Sequence, residues 1–207
     1  MDSKQFNEDK QISFALNTKK IVKGTRRLVR EKILQILMAH FVSDTSIDLL
    51  INHIFNRAFI DEGEHNEDNK NNIQLNDNKV MVNEEKLADV NLDSLISWRP
   101  NDKEFAMKII FSTIENYNSF VDYIKQTSDN WDFERITIID RTIIMIAMAE
   151  FLFDPDVPIK VSINEALELA KNYSTEKSTI FVNGMLEKIK GILEHKNLIH
   201  KSERGLQ

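Results

Sequence analysis

Apolar residues recur along the chain at helical rather than strand spacing. Val29, Ile33, Ile36, Leu37 and His40 fall at i, i+4, i+7, i+8 and i+11, which predicts an amphipathic helix with Arg26 and Arg30 one turn apart at its start. A second helix is expected across "SIDLLINHIFNRAFI", opening on Ser46 or Asp44, with Leu49, Leu50, His53 and Ile54 in helical spacing. After Pro100, "NDKEFAMKIIFSTIENYNSFVDYIKQ" is apolar on two sides and predicts a helix packed between neighbours. A central hydrophobic helix is expected from about Glu134 to Phe153; "DPDVP" ends it, since proline cannot continue a helix. Ser162 and Glu165 have the spacing of a capping box, with Ile163, Ala166, Leu167, Ala170 and Tyr173 as a buried stripe. "STEKS" then supplies cap-forming residues before Phe181, Val182, Met185, Leu186, Ile189 and Leu193. Gly184 lies inside this last stripe, where glycine costs about 1 kcal/mol relative to alanine, so close helix approach is the expected compensation.

The pattern weakens in three places. Residues 1–24 read as a flexible N-terminal extension, about 61–92 as an Asn/Asp/Glu-rich insertion, and 197–207 as a C-terminal tail. What remains, 25–196, is one helical domain. Five glycines and three prolines in 207 residues favour helix, and a 42% hydrophobic content suffices for a continuous core. There is no cysteine, which excludes disulfides, thiolate zinc sites and cysteine nucleophiles and fits a reducing, cytoplasmic setting. The N-terminus lacks the apolar core of a signal peptide. The run "ITIIDRTIIMIAMAEFLF" is interrupted by Asp140, Arg141 and Glu150, so it reads as a buried helix rather than a membrane span.

Charge changes the picture. The net charge is -6, yet "TKKIVKGTRRLVR" carries six basic residues and no acidic one. Lys23, Arg26, Arg27 and Arg30 stand at a helix N-terminus, where the macrodipole disfavours cations. A phosphate partner accounts for that placement; a solvated basic end is the alternative. Lys177 and Ser178 open the last helix, where free amides favour anions, and Phe181 follows one turn on as either a base-stacking aromatic or a core residue. The five histidines never approach a metal-binding spacing, no phosphate-cradling glycine loop exists, and no glycine-framed serine suggests a nucleophile. No metal, cofactor or catalytic residue is expected.

The stretch "RITIIDRTIIMIAMAEFLFDPDVPIKVSINEALELAKNYSTEKSTIFVNGMLEKI" resembles the C-terminal half of the NusB transcription antitermination family, above all in "INEALELAK" followed by "FVNGMLEKI". "RRLVREKILQILMAHF" resembles that family's arginine-rich first helix, and the similarity spans roughly residues 25–193. The resemblance implies an all-α fold of two packed small helical subdomains. It also implies binding of boxA-type single-stranded RNA from ribosomal RNA transcripts together with NusE, a small-subunit ribosomal protein, within an RNA polymerase antitermination complex. By position, Arg26, Arg27, Arg30 and Phe181 match the family's RNA contacts, while Glu134, Asp140, Met38 and Val42 match its NusE-facing positions. Two opposed electrostatic surfaces would then serve RNA and NusE separately. The family often has an aromatic where Met38 stands, an arginine at Met145 and a tyrosine at Ala149, which points to a retuned partner contact. Lys177 replaces a residue that is sometimes acidic and should strengthen RNA affinity by about 1 kcal/mol. The same module resembles the front end of ribosomal RNA cytosine methyltransferases, but that reading needs a second domain and catalytic cysteines that this sequence lacks. A protein-only adaptor that has lost RNA binding is the other alternative, and homodimerisation is left open.

Overall fold

Thr25 adopts an extended conformation just before the arginines, and its hydroxyl accepts from the Leu28 amide at 3.2 Å, closing the N-terminus of α1, Arg26–Ser43. The computed structural model describes residues 22–55, 60–61, 96–128 and 133–206, so nearly all of the expected extension and insertion lie outside the described residues. Asp44 ends α1 in the left-handed region at φ 51°, and α2, Ile47–Ile54, opens on Ser46. The stretch after Arg99 forms two helices rather than one, α3 Pro100–Glu115 and α4 Tyr117–Thr127. Asn116 makes the break: its side-chain amide donates to the Ser112 carbonyl at 2.9 Å, offering the backbone a local alternative to helix. A 3-10 turn, Phe133–Arg135, leads into α5, Ile138–Phe153, capped by Thr137, whose hydroxyl accepts from the Asp140 amide at 3.1 Å. Helices α6, Ile159–Tyr173, and α7, Glu176–His195, complete the bundle.

Helix α5 is the axis. Every residue from Thr142 to Phe151 is buried, and α1, α3, α4, α6 and α7 all pack on it. Its sequence explains this, since a helix apolar all round can only sit inside. Arg30 meets Glu150 and Met38 meets Thr142, so α1 runs antiparallel to α5. Met145 and Ala149, where the resemblance suggested a retuned partner contact, are 1% and 0% exposed and form part of this core instead.

The architecture is helical, with one addition that the hydrophobic pattern did not announce. β1 (Val22–Lys23) and β2 (Ile60–Asp61) both pair in parallel with β3 (Ile96–Trp98), in the order β1-β3-β2. Gly24 follows β1 because nothing larger fits: a Cβ there would lie 2.5 Å from the Trp98 ring and 2.9 Å from the Ser97 carbonyl.

Three further expectations change. Helix α6 begins at Ile159, so Ser162 sits inside it; its hydroxyl donates to Glu150 at 2.7 Å while Glu165 reaches Arg27, and the capping box does not form. Gly184 is exposed, with no described atom within 4 Å of where a Cβ would lie. Residues 198–206 fold back on the α5–α6 corner, where the Lys201 ammonium donates to the carbonyls of Glu150 and Asp154 at 2.9 and 2.7 Å. Among the described residues no helix is long and apolar enough to cross a membrane.

Candidate nucleic-acid interface

The basic run of the sequence is not free positive charge once folded. Arg30 is 4% exposed, and its guanidinium grips the Glu150 carboxylate through bonds of 2.7 and 2.9 Å, with Glu165 at 3.7 Å behind. Burial pulls the Arg30 pKa down, but the bonds and charge of Glu150 outweigh it and leave it raised. Arg27 is clamped by Glu165 at 3.0 Å and Glu168 at 3.2 Å, and Arg26 pairs with the buried Asp102 at 3.2 Å while lying 4.4 Å above the Phe105 ring. The cost of cations at the α1 N-terminus is therefore met by carboxylates from α3, α5 and α6. Only Lys23 of the four, exposed at the end of β1, has no ion-pair partner among the described residues.

The second predicted cluster builds a different environment. The N-termini of α5 and α7 converge on a cleft of about 180 Å³ lined by Arg135, Ile136, Thr137, Asp140, Thr175, Lys177, Ser178 and Phe181. Asp140, expected on a partner surface, is buried instead at its base, accepting from Ser174 at 2.7 Å and Ser178 at 3.0 Å. Both of its oxygens are taken, so it tethers the start of α7 to α5. Ser178 is likewise 4% exposed and committed to that tether. Lys177 and Arg135 are exposed and lack an ion-pair partner among the described residues. Phe181 is partly buried: it packs against the core, one of the two roles foreseen for it, and also lines the cleft.

Arg135 is the residue that pattern reading passed over. It lies two positions before the α5 cap in "ERIT", where a charge before a helix carries no distinctive signal until α7 closes opposite it.

The remaining predicted positions lie apart. Val42 is 68% exposed near the end of α1, and Leu49 on the following helix is 65% exposed. Met38 is partly buried, its sulfur accepting from the Thr142 hydroxyl at 3.4 Å. Glu134 is exposed and lies 3.8 Å from Arg141. With Asp140 placed beneath Ser178, the acidic pair expected to form one surface is divided: Glu134 faces solvent and Asp140 supports the cleft. Among the described residues there is no cluster of three or more histidines and acids suited to a metal ion.

Sequence and structure comparisons agree with this architecture. The family model described as "NusB family" matches residues 70–190. The transcription antitermination protein NusB of Chloroherpeton thalassium is 35% identical over 182 residues, covering 88% of this chain and 69% of the relative. That of Salinibacter ruber is 37% identical over 107 residues, covering 52% of this chain and 67% of the relative. The crystal form of T. maritima NusB superposes with a TM-score of 0.57 at 27% identity, covering 82% of this chain and 93% of that one. A family match across more than half the sequence, carried by a bundle of the same kind, establishes that this chain belongs to the NusB family of transcription antitermination proteins.

Proposed function

We propose that the protein binds boxA-type single-stranded RNA of ribosomal RNA transcripts together with NusE and suppresses premature termination as a non-catalytic member of an RNA polymerase antitermination complex. The observation that carries the reading is the cleft at the joined N-termini of α5 and α7. It offers two cations that have no ion-pair partner among the described residues, Arg135 and Lys177, beside the Phe181 ring, and its one carboxylate is already saturated by hydroxyls. A phosphate settles between cations and helix N-termini, and a base packs on an aromatic ring. Arg26, Arg27 and Arg30 act differently in this scheme. Arg27 and Arg26 meet RNA only by exchanging carboxylates for phosphate, and Arg30 orients α1 from within.

For NusE, the exposed Val42 with Met38 one turn before it, and the exposed Glu134, supply an apolar and an acidic contact. The unit 25–196 is the part that performs this work. A protein-only adaptor gains some support from the arginine pairing, which leaves the α1 end close to neutral.

Binding of labelled boxA-like RNA across a salt series, with and without NusE, separates the two. Arg135→Gln/Lys177→Gln should weaken binding and reduce the salt slope by about 1.4, the contribution of two phosphate contacts on a single strand. An RNA affinity that is absent, or indifferent to salt and to NusE, would leave the adaptor.

A further inference from the structure

On the reading that this surface carries single-stranded RNA, we propose that Tyr173 is a second base-stacking platform, lying between the α1 arginines and the Phe181 cleft. The periodicity of α6 places Tyr173 in its apolar stripe, yet the structure leaves it 37% exposed. Its hydroxyl donates to the Glu31 carboxylate of α1 at 3.1 Å. That bond acts at the ring's edge, so it fixes the orientation of the ring without covering its faces.

Contacts along α6 set the order of the surface. Glu165 and Glu168 hold Arg27; Tyr173 holds Glu31 one turn further along α1; and Ser174, the next residue, donates to Asp140 beneath the cleft. From Glu165 to Tyr173 the helix rises about 12 Å. A strand that reaches from the arginine end to the cleft passes over this tyrosine. The Glu31 carboxylate, bonded to the Tyr173 hydroxyl rather than to a cation, repels phosphate beside the ring, so the strand turns its backbone outward there and its bases inward. An oriented aromatic ring is what an inward base requires.

The test is RNA affinity at several salt concentrations for wild type, Tyr173→Ala and Tyr173→Phe, with folding checked by circular dichroism. Tyr173→Ala should weaken binding by about five- to 150-fold with an unchanged salt slope, because a stacked base releases no counterions. Tyr173→Phe keeps the stacking face and loses only the orienting tether, so it should fall between wild type and Tyr173→Ala, closer to wild type. RNA carrying 5-iodouridine should cross-link to Tyr173 on irradiation of the wild-type complex. Wild-type affinity in Tyr173→Ala would overturn the inference while leaving RNA binding intact, and so would a Phe variant as weak as Ala, which would assign the effect to the tether. Failure of the wild type itself to bind RNA would remove the functional reading and this inference with it.

Discussion

Glu150→Ala should be among the most damaging single substitutions in the protein. The side chains of Arg30 and Glu150 are 4% and 1% exposed, joined by bonds of 2.7 and 2.9 Å, and Ser162 adds a third bond to the same carboxylate at 2.7 Å. Truncation leaves a guanidinium inside the bundle with its principal partner gone, a situation that costs about 3–5 kcal/mol. The Ser162 hydroxyl, 1% exposed as a residue, loses its acceptor as well, worth about 1 kcal/mol. Glu165, 3.7 Å from Arg30 on a side chain 18% exposed, compensates in part and places the expected loss near 3 kcal/mol. That is a large share of the roughly 5–15 kcal/mol that a domain possesses. Urea unfolding followed by circular dichroism measures it as a fall in midpoint at constant slope. The companion variant Arg30→Met/Glu150→Leu removes both charges and should recover most of the loss. A Glu150→Ala protein within 1 kcal/mol of wild type, or a double variant no better than the single one, would refute the argument that this pair is sealed from water.

Thr25→Ala removes the α1 cap and should lower stability by about 1 kcal/mol in the same assay. Burial, and then the charge and hydrogen bond of Glu31, raise the Tyr173 phenol above its usual 10.0, so the contribution is complete below pH 10 and is lost as pH climbs through the raised folded value. Ultraviolet titration should show this phenol ionising late, and Glu31→Gln should bring it back part of the way. Gly205→Ala would drive a Cβ into the Pro155 carbonyl, so the 198–206 segment should detach and become a new site of limited proteolysis that wild type lacks, with the helical circular dichroism signal retained.

The helices that the sequence declared most clearly, α1, α5, α6 and α7, are those whose stripes face one continuous core, because burial of an apolar face dominates any local preference. The missed break at Asn116 and the failed capping box at Ser162 are both decided by short polar side chains. Asn116 finds its acceptor four residues back, and Ser162 finds Glu150 on another helix, which no window around Ser162 contains. The same holds for the basic run. Its arginines read as available charge because the carboxylates of Arg26, Arg30 and Arg27 lie 76, 120 and 138 or more positions away. The sequence pointed to Lys177 and Phe181 together, and they line one cleft, whereas Arg135 joins that lining only when α7 docks against the start of α5.

The Glu150 carbonyl in the final turn of α5, already bonded to the amide of the Asp154 cap, accepts a second bond from Lys201, 51 residues further along the chain than Glu150. During synthesis the central helix is therefore complete in sequence long before this second bond can form, and α6 and α7 must emerge first. A ribosome that stalls within those helices leaves α5 with an uncovered face. Only a copy that has been read through α6 and α7 can cover that face, and the Lys201 bonds follow last.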